Sequence, residues 1–272
     1  LLVGALPFDP QGADALYQPG HLTMADDTAA GAAWPPPLRG HVAEPAADAY
    51  AMAVAHCLER LQQAGATAPL RKVVLARSLR IDAASRIDPL ALASRLGADA
   101  SVTTYVAPLP VAVGEAPAWL VGATPELLVS RRGLEVVSHP LAGSARRARD
   151  PAKDTRAAQA LLASAKDHDE HRHVVEAIVD TLAPLCSRLQ APSMPSLHAT
   201  ATMWHLGTRI VGTLKDPSLS SAALAGLLHP TPAVCGTPRE AALAAIRALE
   251  PVDRGFYAGA VGWTDAQGDG DW

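Results

Sequence analysis

The chain has 272 residues, of which 49% are hydrophobic and 18% charged, and its formal net charge is −4. This composition indicates a globular protein with a sizeable core and argues against general disorder. A small negative charge without a long basic run gives no reason to expect a nucleic-acid partner. No apolar run approaches the ~18 residues that span a bilayer, so we expect no membrane partner and a cytoplasmic location.

Three cysteines, Cys57, Cys186 and Cys235, lie far apart and form no CxxC motif. A structural zinc site or a disulfide framework is therefore not expected. Cys235 lies in a proline-rich segment, but the sequence places no paired histidine beside it, so we do not expect it to act as a nucleophile.

Hydrophobic periodicity and turn residues predict strands and helices in blocks rather than in strict alternation. The predicted strands are residues 2–7, 72–81, 103–107, 119–122, 127–130, 134–139, 203–214 and 256–263. The predicted helices are residues 46–63, 88–97, 150–163, 167–189, 218–228 and 238–249. We expect the strands of 103–139 to form an antiparallel meander. The block order predicts an α+β fold with large, mostly antiparallel sheets and flanking helices.

Two segments and one glycine lie outside these predicted strands and helices. Residues 9–45, which are rich in Gly, Pro, Asp and Ala, are predicted to form a long surface excursion. Gly65 is predicted to end the first helix. Residues 268–272 read as a turn followed by the first residue of a further strand, so we expect the natural chain to continue.

Asp167 and Glu170 are three residues apart at a predicted helix start, which places both carboxylates on nearly the same face. Two such oxygens suit a hard cation such as Mg²⁺, which keeps water ligands and also binds substrate anions. Acidic residues at a helix N-terminus are also explained by a favourable interaction with the helix dipole alone. The nearby His168, His171 and His173 do not form an HExxH motif, so zinc is disfavoured.

Lys72 and Glu126 are candidates for proton transfer. Lys72 lies in a predicted strand, and on an inward face its pKa would fall enough for a general base. On an edge strand, its amine would instead lie in water. Glu126 precedes an apolar run, and burial would raise its pKa and make it a proton donor. The alternative is a loop glutamate paired with Arg131 or Arg132.

The stretch 140–147 offers backbone N–H groups and a hydroxyl, from Gly143 and Ser144, to an anionic group. His205 lies in an apolar strand, where a single histidine is often a core residue whose hydrogen bonds are satisfied.

Several segments, taken together and in this order, resemble the chorismate-utilising enzymes, and most closely the isochorismate synthases among them. These segments are residues 2–10, 72–77, 122–128, 140–147, 170–172, 204–206, 229–233 and 258–263. The resemblance implies a single chorismate-binding domain over residues 1–272 with its active site in a cleft between sheets and helices. It also implies a monomer that needs no organic cofactor.

The resemblance implies specific roles for the candidate residues. Lys72 would take a proton from a water that attacks C2 of chorismate, and Glu126 would protonate the C4 hydroxyl as it leaves. Mg²⁺ would be held by Glu170, with Asp167 beside it. The other residues implied in catalysis or substrate binding are His205, Gly143, Ser144 and Ala233.

Sequence differences from related enzymes reduce the number of candidate reactions. Aminodeoxychorismate synthases resemble this chain but carry a lysine where it has Ala142. Anthranilate and salicylate synthases tend to have threonine at Ala233 and Gly-x-Pro-Lys at residues 236–239. These differences favour an isochorismate synthase acting in siderophore, salicylate or menaquinone synthesis, with a salicylate or anthranilate synthase as the alternative. Family members continue beyond Trp272 with strands and a helix, and extend before Leu1, so a catalytically silent domain is the remaining expectation.

Overall fold

The order of elements along the chain follows the α+β pattern. The computed structural model describes residues 1–23, 36–63 and 70–272. Among these residues the helices are α1 (Ala47–Gln63), α2 (Pro89–Leu96), α3 (Pro151–Ala163), α4 (Ala165–Leu182), α5 (Ser221–Leu228) and α6 (Arg239–Leu249). The strands are β1 (Leu2–Leu6), β2 (Ala15–Tyr17), β3 (Leu38–Glu44), β4 (Lys72–Val73), β5 (Ser78–Ala83), β6 (Thr103–Leu109), β7 (Ala118–Thr124), β8 (Leu127–Arg132), β9 (Glu135–His139), β10 (Leu141–Arg146), β11 (Cys186–Gln190), β12 (Ser196–Ala199), β13 (Met203–Gly207), β14 (Ile210–Leu214), β15 (Gly236–Thr237), β16 (Ala260–Thr264) and β17 (Gly270–Asp271).

The largest sheet of the described residues has the strand order β11-β14-β9-β8-β17-β16-β1-β2, and every neighbouring pair in it is antiparallel. Helices α4 and α5 pack on this sheet through apolar side chains such as Val174, Ile178 and Leu224. These side chains meet Val129 and Val136 of the sheet in the main core. Burial of apolar surface between sheet and helices is the main force that holds this layer together.

A second sheet, β10-β13-β12, packs against α3 and the start of α4. Gly143 makes the close approach possible, because a Cβ at this position would lie 2.9 Å from Asp167 Cβ. Its φ of +80° is also a backbone conformation that L side chains rarely adopt. Helix α4 therefore contacts both sheets, and its first turn lies against the small-residue strand β10.

The prediction of an α+β fold with a large antiparallel sheet is confirmed. The helix predicted over 46–63 is confirmed as α1, and those at 88–97 and 150–163 as α2 and α3. The Asp88 and Asp150 side chains cap α2 and α3, each followed by a proline at the first helical position. Strand β17 confirms the further strand expected after residue 268. Gly65 and residues 24–35 lie outside the described residues.

Other expected boundaries were wrong. Residues 72–81 form two strands, β4 and β5, with a break between them, and residues 9–45 contain the strands β2 and β3. The predicted meander is divided, because β6 and β7 pair with each other while β8 and β9 belong to the large sheet. Strands β10, β12 and β15 were not predicted, and most of β11 lies where the helix over 167–189 was expected. The expected final strand begins only at Ala260.

Two errors have a clear physical origin. The helix expected to reach Leu189 ends at Leu182, and Pro184 in the following 3-10 turn lacks the N–H that would continue it. The strand expected over 203–214 turns a corner at Gly207 and Thr208, so that β13 and β14 join different sheets. In the part of the chain that the structure describes, no helix has the length and hydropathy of a membrane-spanning segment.

Candidate active site

The structure brings the candidate residues together from six parts of the chain. Lys72 is in β4, Glu126 in the turn between β7 and β8, and His205 in β13. Gly143 and Ser144 come from β10, Asp167 and Glu170 from the first turns of α4, and Ala233 from the loop before β15. The distances below describe the contacts that each residue makes.

Lys72 is held by two oxygen atoms. Its Nζ donates to the Pro232 carbonyl at 2.7 Å and lies 3.2 Å from Glu170 Oε1. The side chain is only 13% exposed, so the interpretation of an edge lysine with its amine in water is wrong. Burial lowers the pKa of the Lys72 ammonium, although the charges of Glu170 and Glu126 partly oppose this effect.

The pKa of Glu126 is shifted in the opposite direction. Burial raises its pKa to about 7, although the Leu141 N–H and the charge of Lys72 both oppose the shift. The Leu141 N–H lies 3.4 Å from Glu126 Oε1, which ties this carboxyl to the start of β10. A carboxyl with this pKa is protonated in a large fraction of molecules near neutral pH and can donate a proton.

The alternative partners proposed for Glu126 are engaged elsewhere. Arg131 lies 2.8 Å from Asp269 Oδ1, and Arg132 lies 2.6 Å from Asp271 Oδ2. The interpretation of Glu126 as a loop residue paired with either arginine is therefore wrong.

Asp167 and Glu170 lie side by side on α4 with side chains 20% and 32% exposed. Lys166 Nζ is 3.8 Å from Asp167 Oδ1 and 3.7 Å from Glu170 Oε2. Among the described residues, no group of three or more His, Cys, Asp or Glu side chains is arranged to hold a metal ion. These two oxygen donors nevertheless fit a hard cation that completes its shell with water and substrate oxygens.

The histidines near α4 have separate partners. His168 Nε2 lies 2.8 Å from the Leu162 carbonyl, and buried His171 Nε2 lies 2.7 Å from Thr208 Oγ1. His173 Nε2 is 3.8 Å from an Asp169 oxygen. The three imidazoles therefore contact three different groups.

Ser144 and His205 are cross-strand partners in the β10–β13 ladder. Ser144 Oγ and His205 Nδ1 are 2.8 Å apart, and the serine is exposed. Burial lowers the pKa of His205, and the neighbouring His198 lowers it further, so the imidazole is neutral at pH 7. When Ser144 donates to Nδ1, the Nε2–H of His205 is available as a hydrogen-bond donor.

The segment 231–235 faces Lys72. The Ala233 N–H donates to Thr231 Oγ1 at 3.3 Å, which fixes the turn that presents the Pro232 carbonyl. Burial raises the pKa of Cys235 to about 11, which agrees with the expectation that this thiol is not a nucleophile.

A cleft of about 480 Å³ opens beside Lys72 and Glu170 between α1 and α4. Its lining includes Tyr50, Val54, Leu61, Leu75, Glu170 and His173.

The sequence analysis did not identify two features near Lys72, the Pro232 carbonyl and the buried pair of Glu250 and Arg254 behind β4. Neither feature lies near Lys72 in the sequence.

Comparison with known proteins identifies the family of the chain. The family model of the chorismate binding enzymes matches residues 23–272. The chain therefore belongs to the chorismate binding enzyme family.

Several members of the family that are similar to this chain are isochorismate synthases. The chain is 42% identical over 288 residues to the isochorismate synthase DhbC of Bacillus subtilis (strain 168), covering 100% of this chain and 69% of that protein. It is 39% identical over 287 residues to the vibriobactin-specific isochorismate synthase of Vibrio cholerae, covering 100% of this chain and 67% of that protein. The crystal structure of DhbC from Bacillus anthracis superposes with a TM-score of 0.90 at 40% identity, covering 100% of this chain and 71% of that chain.

Proposed function

We propose that the chain is an isochorismate synthase, which converts chorismate to isochorismate. The observation that carries the proposal is the pairing of Lys72, whose pKa is lowered, with Glu126, whose pKa is raised to about 7, in one site. Titratable groups whose environments push their pKa values apart are suited to act as base and acid. The isochorismate synthases among the relatives support the same reaction.

Lys72 acts in its neutral form and takes a proton from the water that attacks C2 of chorismate. The C2–O bond forms, the ring double bonds shift, and the C4–O bond breaks. Glu126 gives its proton to the departing C4 hydroxyl, which leaves as water. One water enters and one leaves, so the net reaction is an isomerisation, and the proton on Lys72 returns to Glu126 through solvent.

Asp167 and Glu170 would hold Mg²⁺, which when bound supplies a Lewis acid for the substrate carboxylate. Gly143 and Ser144 offer a backbone N–H and a hydroxyl to the substrate's anionic groups. His205 is a neutral donor whose tautomer is set by its bond to Ser144. Ala233, which follows the Pro232 carbonyl that binds Lys72, would contact the substrate.

The test is chromatography of chorismate incubated with the chain, with and without Mg²⁺. We expect isochorismate to form only with the metal, without release of pyruvate. Pyruvate release would indicate a salicylate synthase, and a requirement for ammonia would indicate an anthranilate synthase. No conversion at saturating chorismate and Mg²⁺ would contradict the proposal and favour a silent domain of the same fold.

The product suits pathways to siderophores, salicylate or menaquinone. A coupled assay with an isochorismate-consuming enzyme of each pathway would test which route uses the product.

A further inference from the structure

Strand β4, which carries Lys72, is only two residues long. Its ladder to β15 pairs Lys72 with Thr237 and Val73 with Gly236. Two further bonds extend the ladder, from the Arg71 N–H to the Thr237 carbonyl at 2.7 Å and from the Val74 N–H to the Cys235 carbonyl at 2.8 Å. Residues 74–77 then leave the regular strand. A ladder this short restrains the backbone weakly, so other contacts have to fix the position of Lys72.

A buried ion pair lies directly behind this segment. The side chains of Arg254 and Glu250 are 4% and 6% exposed, and Arg254 Nε donates to Glu250 Oε2 at 2.8 Å. The guanidinium carbon also lies 4.1 Å from the centre of the Phe8 ring. Removing two charges from water is costly, so what this pair contributes depends on its other hydrogen bonds.

Those other bonds go to two backbone segments, one that follows Lys72 and one that follows Pro232. Arg254 Nη2 donates to the Val74 carbonyl at 2.6 Å, and Nη1 donates to the Val234 carbonyl at 2.9 Å. Glu250 Oε1 accepts the Ala76 N–H at 2.7 Å. The ion pair therefore ties the segment after Lys72 to the segment after Pro232.

The two segments that the ion pair connects also contain Lys72 and Pro232, whose carbonyl accepts a hydrogen bond from the lysine amine. Lys72 Nζ donates to the Pro232 carbonyl, and Val234 follows only two residues later. One planar guanidinium thus sets the spacing between the backbone that carries the amine and the backbone that carries the amine's oxygen partner. A lysine at position 254 has one point of charge and cannot reproduce a fork that spans two carbonyls and a carboxylate.

We propose that Arg254 is a positioning residue for Lys72, and that together with Glu250 it holds residues 72–76 at the distance from residues 232–234 that proton transfer requires. The inference rests on the proposed function, in which Lys72 is the base. Small displacements of a catalytic group lower turnover far more than substrate binding.

The test compares Arg254→Lys with the matched control Arg247→Lys. Arg247 is 45% exposed and pairs with Asp9 on the surface, so its replacement keeps a cation and touches no backbone near Lys72. For Arg254→Lys we expect kcat to fall by roughly 10- to 100-fold with KM within threefold of the wild-type value. Hydrogen exchange should accelerate in residues 70–77 while α3 and α4 keep wild-type rates. Arg247→Lys should change neither quantity.

A second variant distinguishes loss of positioning from misfolding caused by a buried, unpaired charge. The double variant Glu250→Gln/Arg254→Gln removes both charges together, so no unpaired charge remains buried. It should reproduce the fall in kcat and the local exchange in residues 70–77. Unchanged kcat in either folded variant would overturn the inference, as would unchanged exchange in residues 70–77.

The two proposals fail in different ways. If the wild-type chain makes no isochorismate, the proposed function fails, while the exchange measurement still reports whether the pair holds this segment. If Lys72→Ala abolishes turnover but the Arg254 variants are fully active, the function stands and the positioning role is wrong.

Discussion

Replacing Glu126 by glutamine should remove activity and at the same time remove a source of instability at high pH. Burial raises the pKa of this carboxyl from the ordinary 4.5 to about 7 in the folded protein. The folded state therefore holds the proton more tightly than the unfolded state. The resulting stabilisation is complete below pH 4.5 and is lost as the pH rises through 7.

The magnitude follows from the two pKa values. A difference between 4.5 and about 7 corresponds to roughly 2.5 kcal/mol of unfolding free energy lost between pH 5 and pH 8. Glu126→Gln has no proton to lose and keeps an oxygen for the Leu141 N–H. Its unfolding free energy should therefore lack this decline.

The assay is urea unfolding at pH 5 and pH 8 for the wild type, Glu126→Gln and the control Glu59→Gln, whose side chain is exposed on α1. Relative to the wild type, Glu126→Gln should gain roughly 2 to 3 kcal/mol of stability at pH 8 compared with pH 5. Glu59→Gln should follow the wild type. Turnover of Glu126→Gln should fall by about 10²- to 10⁴-fold, as expected for loss of a general acid. Parallel pH dependence of all three proteins would refute the reasoning.

Two further variants test the β10 side of the site. Gly143→Ala forces a Cβ to within 2.9 Å of Asp167 Cβ at a positive φ, so urea unfolding should show a loss of about 2 to 4 kcal/mol. Gly133→Ala also has a positive φ but open space around it, so it should lose only about 1 kcal/mol, and equal losses would contradict the steric argument. Ser144→Ala removes the 2.8 Å contact that sets the tautomer of His205, so kcat should fall roughly tenfold, and an unchanged kcat would exclude that role.

Parts of the fold governed by local sequence could be predicted. The starts of α2 and α3 follow from Asp-Pro pairs, because a capping carboxylate and a proline at the first turn act within four residues. The corner between β13 and β14 could not be predicted in this way. An apolar run such as 203–214 looks the same whether it stays in one sheet or crosses to another, since sheet membership depends on distant strands.

The same distinction applies to the site. The residue types at Lys72 and Glu126 indicated proton transfer, but their environments depend on partners far away in sequence. The Pro232 carbonyl that binds Lys72 is 160 residues away, and Arg254 reaches Val74 across 180 residues. A pattern within a short stretch of sequence does not predict contacts between residues so far apart in the chain. The alternatives for both residues could be decided only once burial and partners were visible.

The most direct test of the central claim is the rate of isochorismate formation by Lys72→Ala, measured beside the wild type and Lys153→Ala, whose lysine is exposed on α3. If Lys72 is the base that activates water, its removal should lower kcat by about 10²- to 10⁴-fold, while Lys153→Ala keeps the wild-type rate. Isochorismate formation by Lys72→Ala at the wild-type rate would contradict the account.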